Sequence, residues 1–129
     1  MPSIDWQRVE EILAAHPQVM AAWAFGSAQS GQVNPGSDLD IGVLFERPPA
    51  LTEQLELLVA LQQSLQFEEI DLVALNEANS ILRFEAISGR PLFCRDVGRR
   101  AEFASLTARE YEDEMALAER WVRARQGSK

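Results

Sequence analysis

Lysine is almost missing from this 129-residue chain: the only one is Lys129. The P-loop of ATPases and GTPases needs a lysine after its glycine-rich turn to reach the phosphates, so that class is excluded. Cysteine and histidine are equally scarce, with Cys94 and His16 alone. One cysteine makes no intramolecular disulfide and no cysteine-rich zinc site, and one histidine makes no His-pair metal site. Cys94 lies in the strand-like run Arg90-Pro91-Leu92-Phe93-Cys94, where a small core residue is the plain reading, and His16 before Pro17 reads as loop. Long apolar runs are absent as well. Nothing approaches the ~20 residues of a membrane span, and Met1-Pro2-Ser3-Ile4-Asp5 lacks a charged leader followed by an apolar stretch, so a cytoplasmic protein with no membrane partner is expected.

Positive charge is the last shortage. Twelve Lys and Arg stand against twenty Asp and Glu, a net charge of −8, so direct binding to nucleic acid is not the default. Residues 1–98 hold five arginines and fourteen acids, whereas residues 99–129 hold seven basic and six acidic residues. An anionic ligand of the main body therefore needs a cation to accompany it.

What remains is the composition of one folded domain over residues 1–129, 47% hydrophobic and 25% charged. About two-thirds of its unfolded surface can be buried, enough for one core but not for separate catalytic and substrate domains. Trp6, Val9, Ile12 and Leu13 recur at helical spacing behind Ser3 or Asp5 as N-cap. Residues 19–25 read as a buried strand, and 26–36 as polar loop. Residues 38–45 alternate Leu39, Ile41 and Val43 with Asp38, Asp40 and Gly42, as a strand with two unlike faces does.

Leu51, Leu55, Leu58, Val59, Leu61 and Leu65 outline a helix to about Gln66, and residues 70–75 a third strand. Asn79 caps a short helix to about Ser88, and a fourth strand follows at 91–94. From about Arg99 to Arg125 the chain reads as helix, with Thr107-Ala108-Arg109-Glu110 as a capping box that can divide it. The face of Tyr111, Met115, Ala118 and Val122, flanked by Leu117 and Trp121, is expected to pack mainly on the chain's own sheet. The order predicts an α/β (α+β) fold, a small sheet of about four strands with helices packed on it.

The chemistry gathers where the first two strands meet. Gly26-Ser27 ends one, and ten residues later Asp38-Leu39-Asp40 opens the next. Residues i and i+2 of a strand share a face, so Asp38 and Asp40 can converge, and two such anions repel unless a cation lies between them. Oxygen-only ligands of high charge density suit Mg²⁺ or Mn²⁺, with Asp71 at the start of the third strand as the third carboxylate. Glu68 and Glu69 before it leave a plainer reading open, a solvated acidic strand end. Three carboxylates could hold two metals for in-line phosphoryl or nucleotidyl transfer. Gly26 would let the backbone approach a phosphate, and Ser27 offers it a hydroxyl and an amide. Singly, each residue is ordinary turn or strand-end chemistry. The full Gly-Ser, ten residues, Asp-x-Asp spacing arises in only about one shuffled sequence in a thousand.

These residues resemble the nucleotidyltransferase superfamily with the DNA polymerase β-like fold, and the small size is similar to that of minimal nucleotidyltransferase (MNT) proteins. The resemblance spans roughly residues 20–96. It implies Asp38, Asp40 and Asp71 as catalytic metal ligands, Gly26 and Ser27 as the nucleotide grip, two Mg²⁺ ions, and ATP as co-substrate for AMP transfer to a hydroxyl. It also implies an antitoxin that adenylylates a tyrosine on a HEPN-type RNase toxin and forms a hetero-oligomer with it, the apolar face at Tyr111, Met115, Leu117, Trp121 and Val122 then being part core and part docking surface. A non-catalytic antitoxin acting by occlusion, and a small-molecule nucleotidyltransferase working with a second chain, are the alternatives. One departure from the family pattern stands out: residues 28–32 carry no cation, so Arg47 or a partner's arginine is the expected substitute.

Overall fold

The computed structural model describes residues 3–26 and 38–127. Eight elements follow one another: α1 (Trp6–Ala14), β1 (Val19–Phe25), β2 (Leu39–Phe45), α2 (Leu51–Leu65), β3 (Ile70–Ala74), α3 (Ser80–Ile87), β4 (Arg90–Cys94) and α4 (Val97–Gly127). The strands form one mixed sheet in the order β3-β2-β1-β4. β1 runs antiparallel to both β2 and β4, whereas β3 is parallel to β2, the crossover between them being α2.

Helices cover both faces of the sheet. On one face Val9 and Leu13 of α1 and Leu57 and Leu61 of α2 pack on Leu39, Ile41, Val43 and Phe45. On the other, Ala86 of α3 and Phe103 of α4 pack on Trp23, Phe25, Leu44 and Leu75. Every residue of β1 is buried, which explains why this central strand reads as an unbroken apolar run rather than an alternating one. A register shift between Val19 and Ala21 lets Met20 and Ala21 both join the α3–α4 face.

Side-chain caps set the helix starts. Asp5 accepts from the Arg8 amide (3.2 Å), Asn79 from that of Leu82 (2.9 Å) and Asp96 from that of Arg99 (3.0 Å). Ala50, whose side chain has no oxygen to cap with, precedes α2, and Glu53 reaches back to accept from its amide (3.0 Å). Gln66 ends the helix in the left-handed region at φ 52°.

Three sequence expectations are corrected. The face that α2 buries is Leu57 and Leu61, with Leu58 and Leu65 beside them, whereas Leu51, Leu55 and Val59 are turned to solvent. Thr107 does not divide α4. An N-cap needs a non-helical residue at an accessible turn, and Thr107 is instead buried on the stripe Phe103, Thr107, Glu110 and Tyr111 that holds the helix down. Phe103 meets Trp23 with ring centroids 6.2 Å apart, and Tyr111 stacks on Phe84 at 4.0 Å. Beyond Tyr111 the expected packing on the sheet stops, and residues 112–126 are all exposed. Cys94 is half-buried in β4 as a free thiol, and His16 Nδ1 lies 2.8 Å from the Ile12 carbonyl oxygen.

Candidate active site

Leu39, Ile41 and Val43 are fully buried against α1 and α2, and this fixes the register of β2. A slip of one residue would turn all three to the opposite face and drive Asp40 into the core. With the register fixed, Asp40 is the Cα partner of Asp71 on one side and of Phe25 on the other. Neighbours in register share a face, and adjacent strands lie about 4.8 Å apart, so Asp40 and Asp71 stand side by side. Asp38 precedes β2 on the same side. Asp38 and Asp71 are exposed, and Asp40 is half-buried.

Gly26 closes β1 against Asp40. Its φ of +75° lies in the left-handed region, and a Cβ there would run into Asp40 Oδ2. Only glycine leaves this space, so the Gly26–Asp40 approach is built into the backbone. Gly42, two residues along the same face, has Ala86 and Leu75 within 3.1 Å of where a Cβ would stand, and so lets α3 close over the strand behind the site. Ser27, the other half of the expected nucleotide grip, lies outside the described residues.

Among the described residues the cluster is anionic and has no ion-pair partner. Burial, first, and then the negative charges of Asp71, Asp38 and Glu85 raise the Asp40 carboxyl above the usual carboxylate range. Among the described residues the ion pairs are Arg47–Glu53, Arg83–Glu110 and Arg123–Glu119, none of which involves these four acids. Sequence reasoning missed Glu85. No local signal pointed to it, since only the packing of its neighbour Ala86 on Gly42 brings it to the carboxylate end.

Two expectations about charge meet the geometry. Arg47 follows the far end of β2, seven residues from Asp40, which at about 3.3 Å per residue places it roughly 23 Å away. Its guanidinium is engaged with Glu53 at 3.3 Å, so it does not serve as the missing cation. Among the described residues no three His, Cys, Asp or Glu side chains form a ready-made cage for a metal ion. Mg²⁺ seldom uses such cages, holding one or two carboxylates and completing its shell with water and substrate phosphate. A carboxylate pair with repulsion to relieve and no cation beside it fits that mode.

The model of the polymerase beta nucleotidyltransferases matches residues 7–97, the sheet and all three carboxylates included. The chain belongs to this nucleotidyltransferase family. No curated protein sequence matches it. Among solved structures, a toxin–antitoxin complex with AMP-PNP contains a similar chain, with a TM-score of 0.77 at 22% identity over 95% of this chain and 99% of the other. An MntA–HpeT toxin–antitoxin mutant with two aspartates, two positions apart, changed to glutamate gives 0.76 at 22% identity, again over 95% and 99%. A tri-AMPylated Shewanella oneidensis HEPN toxin in complex with MNT antitoxin gives 0.70 at 21% identity over 94% and 95%. These likenesses establish that the nucleotidyltransferase fold extends through α4. No helix among the described residues of this family member is long and apolar enough to cross a membrane.

Proposed function

We propose that this nucleotidyltransferase moves AMP from ATP to a tyrosine hydroxyl of a HEPN-type RNase toxin and thereby acts as its antitoxin. The observation that carries the reading is the pairing of Asp40 with Asp71, Asp38 beside them and Gly26 backing Asp40. The structurally similar complexes support the partner and the group transferred, one holding AMP-PNP and another an AMPylated HEPN toxin.

In this reading Asp38, Asp40 and Asp71 would hold Mg²⁺, Gly26 would let the triphosphate approach the backbone, and Ser27 would donate a hydrogen bond to it. Bound Mg²⁺ supplies neutralisation of the triphosphate and of the charge that develops on the leaving pyrophosphate. The acceptor oxygen bonds to the α-phosphorus as the bond to the bridging oxygen of the β-phosphate breaks, and the hydroxyl proton passes to a site carboxylate or water. The fold holds the carboxylates in register before substrate arrives, so little reorganisation accompanies the reaction.

Non-catalytic inhibition by occlusion is the second reading, favoured by the distance of Arg47 from the carboxylates. Incubating the chain with α-labelled ATP, Mg²⁺ and its HEPN partner separates the two. Label on a toxin tyrosine, lost with Asp38→Asn, supports transfer. Inhibition of the RNase with no label in the presence of ATP overturns it.

A further inference from the structure

The second half of α4 is a helix with nothing on it. From Glu112 to Gln126 every side chain is exposed, four turns or about 22 Å of helix past the last contact with the body. On this segment Leu117 is 58% exposed, Trp121 61% and Val122 51%, with Met115 and Ala118 beside them. Fifteen residues of helix without tertiary packing are marginal in water, and an apolar stripe of this size on such a helix calls for a cover.

The charges of the segment say what covers it. Glu110, Glu112, Asp113 and Glu114 precede the stripe, and Arg120, Arg123 and Arg125 follow or flank its end, with Glu119 the one exception. The segment is thus acidic where it leaves the body and basic towards its tip. Laid parallel, two copies would set acid beside acid and arginine beside arginine. Laid antiparallel, each acidic start meets the basic end of the other. The apolar positions obey the same symmetry. With Ala118 of one copy against Trp121 of the other, Met115 meets Val122, Leu117 meets Ala124, and Glu114 meets Arg125 at each end of the apolar contact. Ala118 is small enough for the two backbones to approach around the indole. Arg125 already lies on the Trp121 ring, 4.9 Å from its centroid, so it stands at the edge of that contact. Antiparallel pairing also leaves room for the globular bodies, which come to lie at opposite ends of the pair.

We infer that residues 112–126 of α4 form an antiparallel pair with the same segment of a second copy, making the chain a homodimer through this helix. Four turns per copy place the contact near the lower bound for a specific interface, about 1,000 Å², and micromolar association is expected. The inference is independent of the transfer reaction and stands or falls without it.

Sedimentation equilibrium of the purified full chain tests it. At roughly 100 µM the chain should run as a dimer, and association should weaken as salt rises. Trp121→Glu, and separately Leu117→Lys, should each reduce association at least about tenfold with an unchanged melting transition of the body, since neither side chain packs on it. Glu114→Arg and Arg125→Glu should each weaken the dimer, and the two together should restore it. A monomer at that concentration overturns the inference, including the case in which Trp121→Glu blocks only binding to the toxin. Failure of the double exchange to restore association overturns the antiparallel pairing.

Discussion

The two ends of the sheet use charge in opposite ways. At the end where β2 and β3 finish, arginines donate to backbone carbonyls. Arg95 bonds the oxygens of Val19 (2.9 Å), Ala14 (2.8 Å) and His16 (3.2 Å). Arg99 bonds that of Glu46 (2.8 Å), and Arg83 those of Leu75 and Asn76 (both 2.8 Å). At the end where β2 and β3 begin, the charges of Asp38, Asp71 and Glu85 act on Asp40. Arg90, at the same end on β4 beside Ala24, lies over the Trp6 ring of α1, 4.4 Å from its centroid, rather than on a carboxylate. The arginines at the first end complete the hydrogen bonding of the fold, whereas these carboxylates form no ion pair among the described residues. On the proposed reading, an acidic body poor in lysine would still bind a triphosphate because the positive charge would arrive with the metal.

The strongest way to break the contrast is Asp40→Asn. If the carboxylate serves the ligand and not the fold, AMP transfer should fall at least about a thousandfold, since metal-assisted charge stabilisation is worth several kcal/mol. The metal-free melting temperature at neutral pH should hold or rise. The sign follows from linkage. Asp40 binds its proton more tightly in the folded chain than in the unfolded one, so its contribution to stability is whole below the ordinary Asp value near 3.9 and is lost as pH rises through the raised one. The advantage of Asn should therefore vanish on acidification below about pH 4, which melting curves from pH 3 to 7 would show. A variant that loses stability equally at all pH values would place Asp40 on the structural side.

Gly26→Ala comes next, because it joins both sides of the comparison. The left-handed φ and the collision with the Asp40 carboxylate should together cost about 2–4 kcal/mol of stability, and the displaced carboxylate should lower transfer even well below the melting point. Activity assayed at low temperature separates the two effects. Arg95→Ala is the counterpart from the other end, leaving three carbonyls without their donor. It should cost about 2 kcal/mol in denaturant unfolding while transfer by the folded fraction is unchanged.

Local signals carried most of the fold into the sequence. β1 is bounded by His16-Pro17 and Gly26, and its alanines do not matter because a strand buried on both faces needs only apolar side chains. The carboxylate arrangement was half legible. Period-2 alternation gives the shared side of Asp38 and Asp40, but the pairing of Asp71 with Asp40 depends on a parallel register that no local pattern encodes. Glu85 was out of reach for the same reason, since it joins the cluster only through the packing of Ala86 on Gly42. Thr107-Ala108-Arg109-Glu110 has capping chemistry, but Phe103 and Tyr111 on either side of it fasten one continuous helix. The stripe past Tyr111 reads as apolar in the sequence. Of the two expectations for it, packing on the chain's own sheet and a docking surface, the structure excludes the first for residues 112–126. Helical spacing shows that a face is apolar and not what lies against it.

The smallest effect is the one that sharpens the contrast most. Arg47 was the natural candidate to meet the triphosphate, being the basic residue nearest in sequence after the Gly-Ser and Asp-x-Asp elements. In space it belongs to the arginine end, beyond Phe45, and its exposed guanidinium meets Glu53, whose carboxylate is held below its usual range by the Ala50 amide first and by Arg47 second. Arg47→Ala removes the lesser of these two supports, an exposed pair of the kind that contributes little in water. Glu53 keeps its bond to the Ala50 amide, so α2 keeps its start. The variant should show unchanged KM for ATP, unchanged AMP transfer and a melting temperature indistinguishable from that of the native chain. A rise in KM of roughly tenfold, the loss of one charge-assisted contact, would mean that Arg47 reaches the nucleotide after all and that the two ends of the sheet are not divided as the structure shows them.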